Sequence, residues 1–241
     1  MKVPGPKGFG IFRRREIMKQ QNNQARIDTV VFDFDGTVMD TNKVIFKSWQ
    51  HTFNTLTGHD GDIEMIKASL GEPLEYTMKK FFPELPVEES IQVYRNYHRD
   101  RFEDMIELFP GIDELLAELK RRGYKTGLAT SRLKVTTYQG LEKYDLFKYF
   151  DEIITVEDVT KAKPDPEMLL TMLERLGSSP ETSVMTGDTR WDIACANNAG
   201  ATSILVGWSQ ALAGKTKEDF DGNEVPDFII DTPEELLAII E

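Results

Sequence analysis

The sequence has almost no cysteine and no long apolar run. Cys195 is the single cysteine among 241 residues, so the chain cannot form a disulfide within itself. This usage is typical of a protein of the reducing cytoplasm. No segment approaches the roughly 20 apolar residues of a membrane helix. We therefore expect a cytoplasmic protein with no membrane partner, and the 40% hydrophobic content is ample for a folded core.

Acidic residues also outnumber basic ones, with 41 Asp or Glu against 29 Lys or Arg. The formal net charge of -12 argues against a general nucleic-acid binder. It is compatible with an enzyme that handles an anionic substrate through a metal ion and a few placed cations. Residues 1–27 run against the trend, with seven Lys or Arg residues and one Glu. We expect these residues to form a flexible basic extension, unless the start is over-long and Met18 is the initiator.

Strand-like apolar runs recur along the chain, and helical patterns separate most of them. The spacing of Ile112, Leu115 and Leu119 predicts one such helix, and Pro110-Gly111 punctuates its start. Strands that alternate with helices predict an α/β fold with a parallel, doubly wound sheet. The strand-like runs are 29–34, 125–130, 153–156, 183–186 and 202–206.

One long gap interrupts this alternation. Between residues 40 and 109 only helix-like segments occur, at 44–56, 74–82 and 87–105. Ligands of doubly wound sheets bind outside the carboxyl ends of the strands, where an inserted helical unit can close on a substrate and exclude water. The sequence therefore predicts an all-helical cap over residues 41–109, inserted into a core formed by 28–40 and 110–241.

The most informative segment follows the first strand-like run and reads Phe32-Asp33-Phe34-Asp35-Gly36-Thr37. Side chains two residues apart face the same way for as long as a strand continues. Two carboxylates this close repel each other, and a fold tolerates them only with a cation or a shared proton nearby. The pattern indicates a magnesium site and phosphoryl transfer.

Three later motifs also lie at the ends of strands or the starts of helices. Each is weak alone, because hydroxyl residues end many strands, most lysines are solvated, and acidic residues often cap helices. Their order on successive elements is much harder to obtain by chance. The motifs are Thr130-Ser131-Arg132, Lys163-Pro164-Asp165-Pro166, and Gly187-Asp188 with Asp192 one helical turn later.

With these four motifs the sequence resembles the haloacid dehalogenase superfamily of phosphatases, from about residue 29 to the C-terminus. The helical insertion looks like the cap of the subclass that holds phosphoglycolate phosphatase, β-phosphoglucomutase and a small pyrophosphatase. The resemblance implies a Mg²⁺-dependent phosphatase that hydrolyses a small phosphorylated metabolite, similar to phosphoglycolate or pyrophosphate, through an aspartyl-phosphate. The implied partner is this small molecule, and we expect a monomer or weak dimer.

The resemblance also implies residue roles. Asp33 would be the nucleophile, and Asp35 would act as general acid and then general base. Thr130 and Lys163 would hold the transferring phosphoryl group. Mg²⁺ would bind Asp33, the Asp35 carbonyl, Asp188 and Asp192. Expected substrate contacts are Gly36, Thr37, Ser131 and Arg132, although Arg132 is as readily interpreted as a solvated loop residue.

Other functions stay open at this point. A phosphosugar mutase uses the same scaffold, but Thr37 matches the phosphatase pattern where known mutases tend to place valine. Dehalogenases lack the second acid, so Asp35 counts against them, and a non-catalytic binding protein would not need the complete set of motifs. His51, His59 and His98 show no metal spacing, and we expect them at the cap surface or in its packing.

Overall fold

A computed structural model describes residues 26–209 and 211–241. Residues 1–25 of the predicted basic extension, which include Met18, lie outside the described residues. The described residues contain a six-stranded parallel sheet and a separate two-stranded ribbon. In chain order the strands are β1 (Thr29–Phe32), β2 (Met39–Asp40), β3 (Glu107–Leu108), β4 (Lys125–Ala129), β5 (Glu152–Ile154), β6 (Ser183–Gly187), β7 (Thr202–Val206) and β8 (Phe228–Ile230).

Nine α-helices occur among the described residues. Four of them lie between β2 and β3, and the other five belong to the core. They are α1 (Asn42–Thr57), α2 (Ile63–Ala68), α3 (Leu74–Phe81), α4 (Val87–Met105), α5 (Ile112–Arg121), α6 (Lys134–Lys143), α7 (Glu167–Leu176), α8 (Arg190–Ala199) and α9 (Glu235–Ile240). In the part of the chain described, no helix has the length and hydropathy that a bilayer span requires.

The large sheet has the strand order β5-β4-β1-β6-β7-β8, and every neighbouring pair is parallel. Both faces are buried, as the alternation of side chains along β1 illustrates. Val30 and Phe32 pack with α5, α6 and α9, whereas Val31 packs with α7 and α8. A sheet covered by helices on both faces is the doubly wound arrangement, and the predicted fold class is confirmed.

The sheet order determines where the motifs meet. β1 lies between β4 and β6, with Phe32 paired to Leu128 on one side and to Thr186 on the other. Because the strands are parallel, their carboxyl ends lie at one edge of the sheet. The residues that follow β1, β4 and β6 are therefore brought together from three distant parts of the sequence.

The helical insertion forms a cap with an apolar core of its own. Its buried side chains include Trp49 and Phe53 of α1, Ile66 of α2 and Met78 of α3. The chain enters and leaves the cap through the ribbon, in which β2 and β3 pair antiparallel. An inserted all-helical cap is thus present, and the exact limits 41–109 stay a prediction.

The first strand ends two residues earlier than the sequence pattern suggests. β1 stops at Phe32, and the chain then turns so that the Gly36 N–H donates to the Met39 carbonyl at 2.8 Å. Gly36 adopts φ +69°, a left-handed conformation that favours glycine. This turn carries Asp33 and Asp35 beyond the strand, where their side chains reach different partners.

Candidate active site

Lys163 joins two of the predicted acids. Its Nζ lies 2.8 Å from Asp33 Oδ1 and 2.7 Å from Asp192 Oδ1, and it also donates to the Ala129 carbonyl at 2.7 Å. These three acceptors use all three ammonium protons. Lys163 is only 3% exposed, and burial between two carboxylates makes it a fixed charge within the site.

Asp33, Asp188 and Asp192 form a compact acidic cluster. One carboxylate oxygen from each lies within 4.8 Å of the others, and all three residues are buried. Asp188 accepts a hydrogen bond from the Ser209 hydroxyl at 2.5 Å. A Cβ at Gly36 would lie 1.9 Å from Asp188 Oδ2, so only glycine permits this close approach of the turn to the cluster.

The cluster is short of positive charge. Burial, together with repulsion from Asp192 and Asp33, raises the pKa of Asp188 well above its ordinary value. Burial also raises the pKa of Asp33, although Lys163 opposes the shift. Three carboxylates face a single ammonium, and hard carboxylate oxygens are the ligands that Mg²⁺ prefers. The residues present therefore fit a divalent cation of this kind.

Asp35 lies in a different electrostatic environment. Arg132 donates hydrogen bonds to it, from Nε to Oδ2 at 3.0 Å and from Nη2 to Oδ1 at 2.5 Å. The Thr41 hydroxyl donates a further hydrogen bond to Oδ1 at 2.5 Å. Burial opposes ionisation, but the charge and hydrogen bonds of Arg132 outweigh it and lower the pKa of Asp35. Arg132 is only 9% exposed, so its interpretation as a solvated loop residue is wrong.

Arg132 is itself held by the cap. Its guanidinium carbon lies 4.4 Å from the ring centroid of Phe102, and its Nη1 lies 2.8 Å from His98 Nε2. Both residues belong to α4 and are one helical turn apart on the same face. The sequence predicted only surface or packing roles for the histidines, and a lone histidine on a polar helix carries no signal of such a contact.

A cavity of about 690 Å³ opens between the cap and the strand ends. Asp33, Asp35, Lys163 and the acidic cluster line its core side, as do the predicted contact residues Gly36, Ser131 and Arg132. Thr130 and Thr37 are fully buried and do not line it. The Thr130 hydroxyl accepts the Arg132 N–H at 3.1 Å, whereas the Thr37 hydroxyl has no hydrogen-bond partner among the residues that the structure describes.

The cap turn Gly71-Glu72-Pro73 also lines the cavity and touches the core. A Cβ at Gly71 would lie 2.8 Å from both Thr189 Cγ2 and Trp191 Cδ1. Thr189 caps the N-terminus of α8 and donates its N–H and its hydroxyl to Asp192 Oδ2, at 3.1 and 2.6 Å. The turn thus contacts the residue that orients one acid of the cluster.

Comparison with known proteins agrees with this architecture. The family model described as haloacid dehalogenase-like hydrolase matches residues 30–206, and the chain belongs to this family. It is therefore a hydrolase, and the predicted superfamily is confirmed. The matched range contains all four motifs.

Similar proteins extend the comparison over most of the chain. Pyrophosphatase PpaX of Bacillus cereus (strain B4264) is 37% identical over 215 residues, which are 89% of this chain and 97% of that protein. A haloacid dehalogenase-like family hydrolase from Streptococcus pneumoniae superposes with a TM-score of 0.76 at 27% identity, covering 89% and 99% of the two chains. A predicted phosphatase from Clostridium acetobutylicum gives 0.77 at 25% identity, covering 90% and 99%. These names agree with the predicted enzyme class, a phosphatase.

Proposed function

We propose that this hydrolase is a Mg²⁺-dependent phosphatase of a small metabolite that carries a second anionic group. Pyrophosphate is the first candidate substrate, and phosphoglycolate is the second. The observation that carries the proposal is the placement of Asp33. It lies buried at the end of the central strand, beside Lys163 and two further carboxylates, and it faces the cavity beneath the cap. The single cysteine supports a cytoplasmic location.

The reaction proceeds in two displacements at phosphorus. A carboxylate oxygen of Asp33 attacks, the bond to the leaving oxygen breaks, and Asp35 gives that oxygen a proton. A water molecule then gives a proton to Asp35 and attacks the aspartyl-phosphate, which releases inorganic phosphate and restores Asp33. Asp33, Asp188, Asp192 and the Asp35 carbonyl would hold Mg²⁺, which supplies positive charge to offset the carboxylates and the phosphoryl oxygens.

Lys163 contributes differently from a freely available cation. Its three protons are already bound to Asp33, Asp192 and the Ala129 carbonyl. Contact with the phosphoryl group therefore requires it to exchange one carboxylate for a phosphoryl oxygen. In the resting site it holds Asp33 in place and offsets the repulsion within the cluster. Roles for Thr130 and Thr37 at the phosphoryl group, and for Ser131 at the substrate, remain part of the proposal.

Three arginines support a second anionic group on the substrate. Arg132 is beside the proposed proton donor, where the leaving group would lie, and Arg95 and Arg99 line the cavity from α4. A guanidinium is well suited to phosphate and carboxylate groups. The relative named as a pyrophosphatase puts pyrophosphate first, and the cavity volume of about 690 Å³ suits a small metabolite.

The test is a panel of phosphate compounds assayed with the full chain. We expect the highest kcat/KM for pyrophosphate or phosphoglycolate, and we expect EDTA to abolish turnover and added Mg²⁺ to restore it. Sugar phosphates in the panel distinguish a phosphatase from a mutase, because a mutase would return an isomerised sugar phosphate without releasing phosphate. Equal activity with and without EDTA, or phosphoryl transfer between sugar positions as the main reaction, would overturn the proposal.

A further inference from the structure

The cap histidine His98 is buried, with 8% exposure, and lies outside the four motifs. One of its ring nitrogens contacts the core, and the other contacts the interior of the cap. Nε2 lies 2.8 Å from Nη1 of Arg132 in the core, and Nδ1 lies 3.1 Å from the Ser48 hydroxyl on α1. His98 therefore links the residue that grips Asp35 to the interior of the cap.

The hydrogen bonds assign the tautomer of His98. The Ser48 hydroxyl donates its one proton to the Val44 carbonyl at 2.6 Å, so Ser48 accepts from His98 Nδ1–H. Nε2 then carries the lone pair and accepts from the Arg132 N–H, because a guanidinium only donates. The three hydrogen bonds therefore run in one direction, from Arg132 to His98, from His98 to Ser48 and from Ser48 to the Val44 carbonyl. A protonated imidazole would break this chain, because its Nε2 could no longer accept from Arg132. Burial and the neighbouring Arg132 charge lower the pKa of His98 to about 3, which agrees with a neutral ring.

The same contacts fix the plane of the guanidinium. Arg132 uses Nη1 for His98 and Nε with Nη2 for Asp35, while its face lies against Phe102. An arginine side chain carries about 2 kcal/mol of rotamer entropy, so partners on two edges and one face are needed to hold it in one orientation. Asp35 in turn accepts hydrogen bonds from both Nε and Nη2 of this oriented guanidinium.

We propose that His98 is a positioning residue, which acts through Arg132 to aim the Asp35 carboxylate at the leaving oxygen. This rests on the proposed function, because it presumes that Asp35 transfers the proton. The chemical requirement at position 98 is a neutral group that accepts from a guanidinium and donates to a hydroxyl. The cap thereby contributes to proton transfer as well as to enclosure of the substrate.

The experiment compares His98→Leu with His98→Gln, whose amide can both accept and donate. With phosphoglycolate, whose leaving oxygen needs a proton, we expect His98→Leu to lower kcat by about 10- to 100-fold with a smaller change in KM. With p-nitrophenyl phosphate we expect a much smaller loss in the rate of the nitrophenolate burst, since nitrophenolate leaves without protonation. The later hydrolysis, for which Asp35 is the base, should slow with either substrate. His98→Gln should restore most of the rate. His51→Leu, at an exposed cap histidine, is the matched control and should leave kcat unchanged.

A double-mutant cycle tests the route of action. In an Arg132→Lys background, His98→Leu should cost little further rate, because its effect passes through the arginine. Full additivity of the two changes would overturn the proposal. So would a wild-type kcat in His98→Leu with phosphoglycolate, or a nitrophenolate burst that slows as much as the turnover of phosphoglycolate, which would indicate general damage.

A second measurement does not depend on activity or on the folding of a variant. Nitrogen-15 NMR of the wild-type ring should show the neutral tautomer with its proton on Nδ1. A proton on Nε2, or on both nitrogens at pH 7, would overturn the proposal even in an active enzyme. If the wild type hydrolyses no phosphate compound while the ring shows the expected tautomer, the proposed function fails and the hydrogen-bonded chain stands as a structural link between cap and core.

Discussion

At the scale of single residues, two carboxylates of one motif are placed in opposite environments. Asp33 lies among acids with one lysine, and burial raises its pKa. Asp35, two residues later, is gripped by Arg132, which lowers its pKa despite burial. The turn after Phe32 makes these different environments possible by ending the strand before Asp33. The assigned roles require the reverse order of pKa values, because a nucleophile must be ionised and a proton donor must hold its proton. A cation bound beside Asp33 would lower the pKa of that carboxyl and favour the nucleophilic form.

Asp33→Asn tests the nucleophile. The amide cannot attack phosphorus, so turnover of every substrate should fall by at least about 10³-fold. Fold and thermal midpoint should be retained, because the amide oxygen can still accept from Lys163. Steady-state kinetics on the best substrate measures the effect, with circular dichroism as the control. A variant that keeps a tenth of the wild-type rate would contradict the assignment.

The buried, neutral ring of His98 should make the free energy of unfolding depend on pH. Its pKa is about 3 in the folded protein, below the value of about 6.5 in an unfolded chain. The unfolded state therefore binds the extra proton first, and stability is lost as the pH falls below 6.5. Between pH 7.5 and 5 this loss amounts to about 2 kcal/mol.

Denaturant unfolding of the wild type and His98→Gln at both pH values measures this loss. The wild type should lose about 2 kcal/mol more than the variant, which has no titrating ring. Burial raises the pKa of Tyr94, which stacks on His98, so the tyrosine does not titrate in this range. Equal losses in the two proteins would show that the ring is not held neutral.

At the scale of elements, the site is built from the ends of parallel strands, and this part of it was predictable. Buried strands carry strong apolar runs, so the five predicted strands are present with shifts of at most two residues at their ends. Polar residues after β1, β4 and β6 then had to meet at one edge of the sheet. The acids Asp33 and Asp188 follow from the pattern for this reason.

Other elements carry too little periodicity to be predicted. β2 and β3 have two residues each, and β8 has three. The buried face of α6 includes Thr136, Thr137 and Gly140, so its apolar stripe is weak. The contact of His98 with Arg132 joins a cap helix to a core loop, and nothing in the local sequence of either residue records a partner 34 positions away.

Gly71 tests the contact between the cap turn and the core. It adopts φ +82°, and a Cβ would press on Thr189 and Trp191. Gly58, at the end of α1, adopts φ +79°, and no atom of the described residues would lie within 4 Å of a Cβ added there. Gly71→Ala and Gly58→Ala should therefore share a stability cost of about 1–2 kcal/mol from the left-handed backbone.

Only Gly71→Ala should also impair catalysis. The added methyl displaces the turn from α8, and we expect kcat/KM for pyrophosphate to fall at least about tenfold. Kinetics of the two variants beside their unfolding midpoints measures the difference. Equal kinetics in both variants would mean that the turn makes no functional contact with the core.

At the scale of the whole molecule, the acidic cluster predicts that the stability of the core depends on a bound cation. Asp33, Asp188 and Asp192 come from two strand ends and a helix start, and their mutual repulsion opposes the packing of those elements. A cation that binds only the folded state offsets this repulsion by mass action. The protein should consequently be more stable with Mg²⁺ than in EDTA.

Asp188→Asn tests the coupling. The amide removes one charge and can still accept from Ser209, so the variant should unfold at a higher temperature than the wild type in EDTA. Mg²⁺ at roughly a hundredfold excess over its Kd should raise the wild-type Tm by about 5–10 °C and should leave the variant nearly unchanged. Thermal unfolding at pH 7.5 measures both. A variant that responds to Mg²⁺ like the wild type would place the cation elsewhere.

The central claim is that the phosphoryl group passes through Asp33, and trapping of the phosphoenzyme tests it most directly. Asp35→Asn should accumulate the aspartyl-phosphate from p-nitrophenyl phosphate and Mg²⁺, because nitrophenolate leaves without an acid while hydrolysis lacks its base. Acid quenching and peptide mass spectrometry should then find a hydroxylamine-sensitive phosphoryl group on Asp33, in amounts equal to the nitrophenolate burst. A burst with no phosphoryl group on Asp33, or with the phosphoryl group on another residue, would contradict the account.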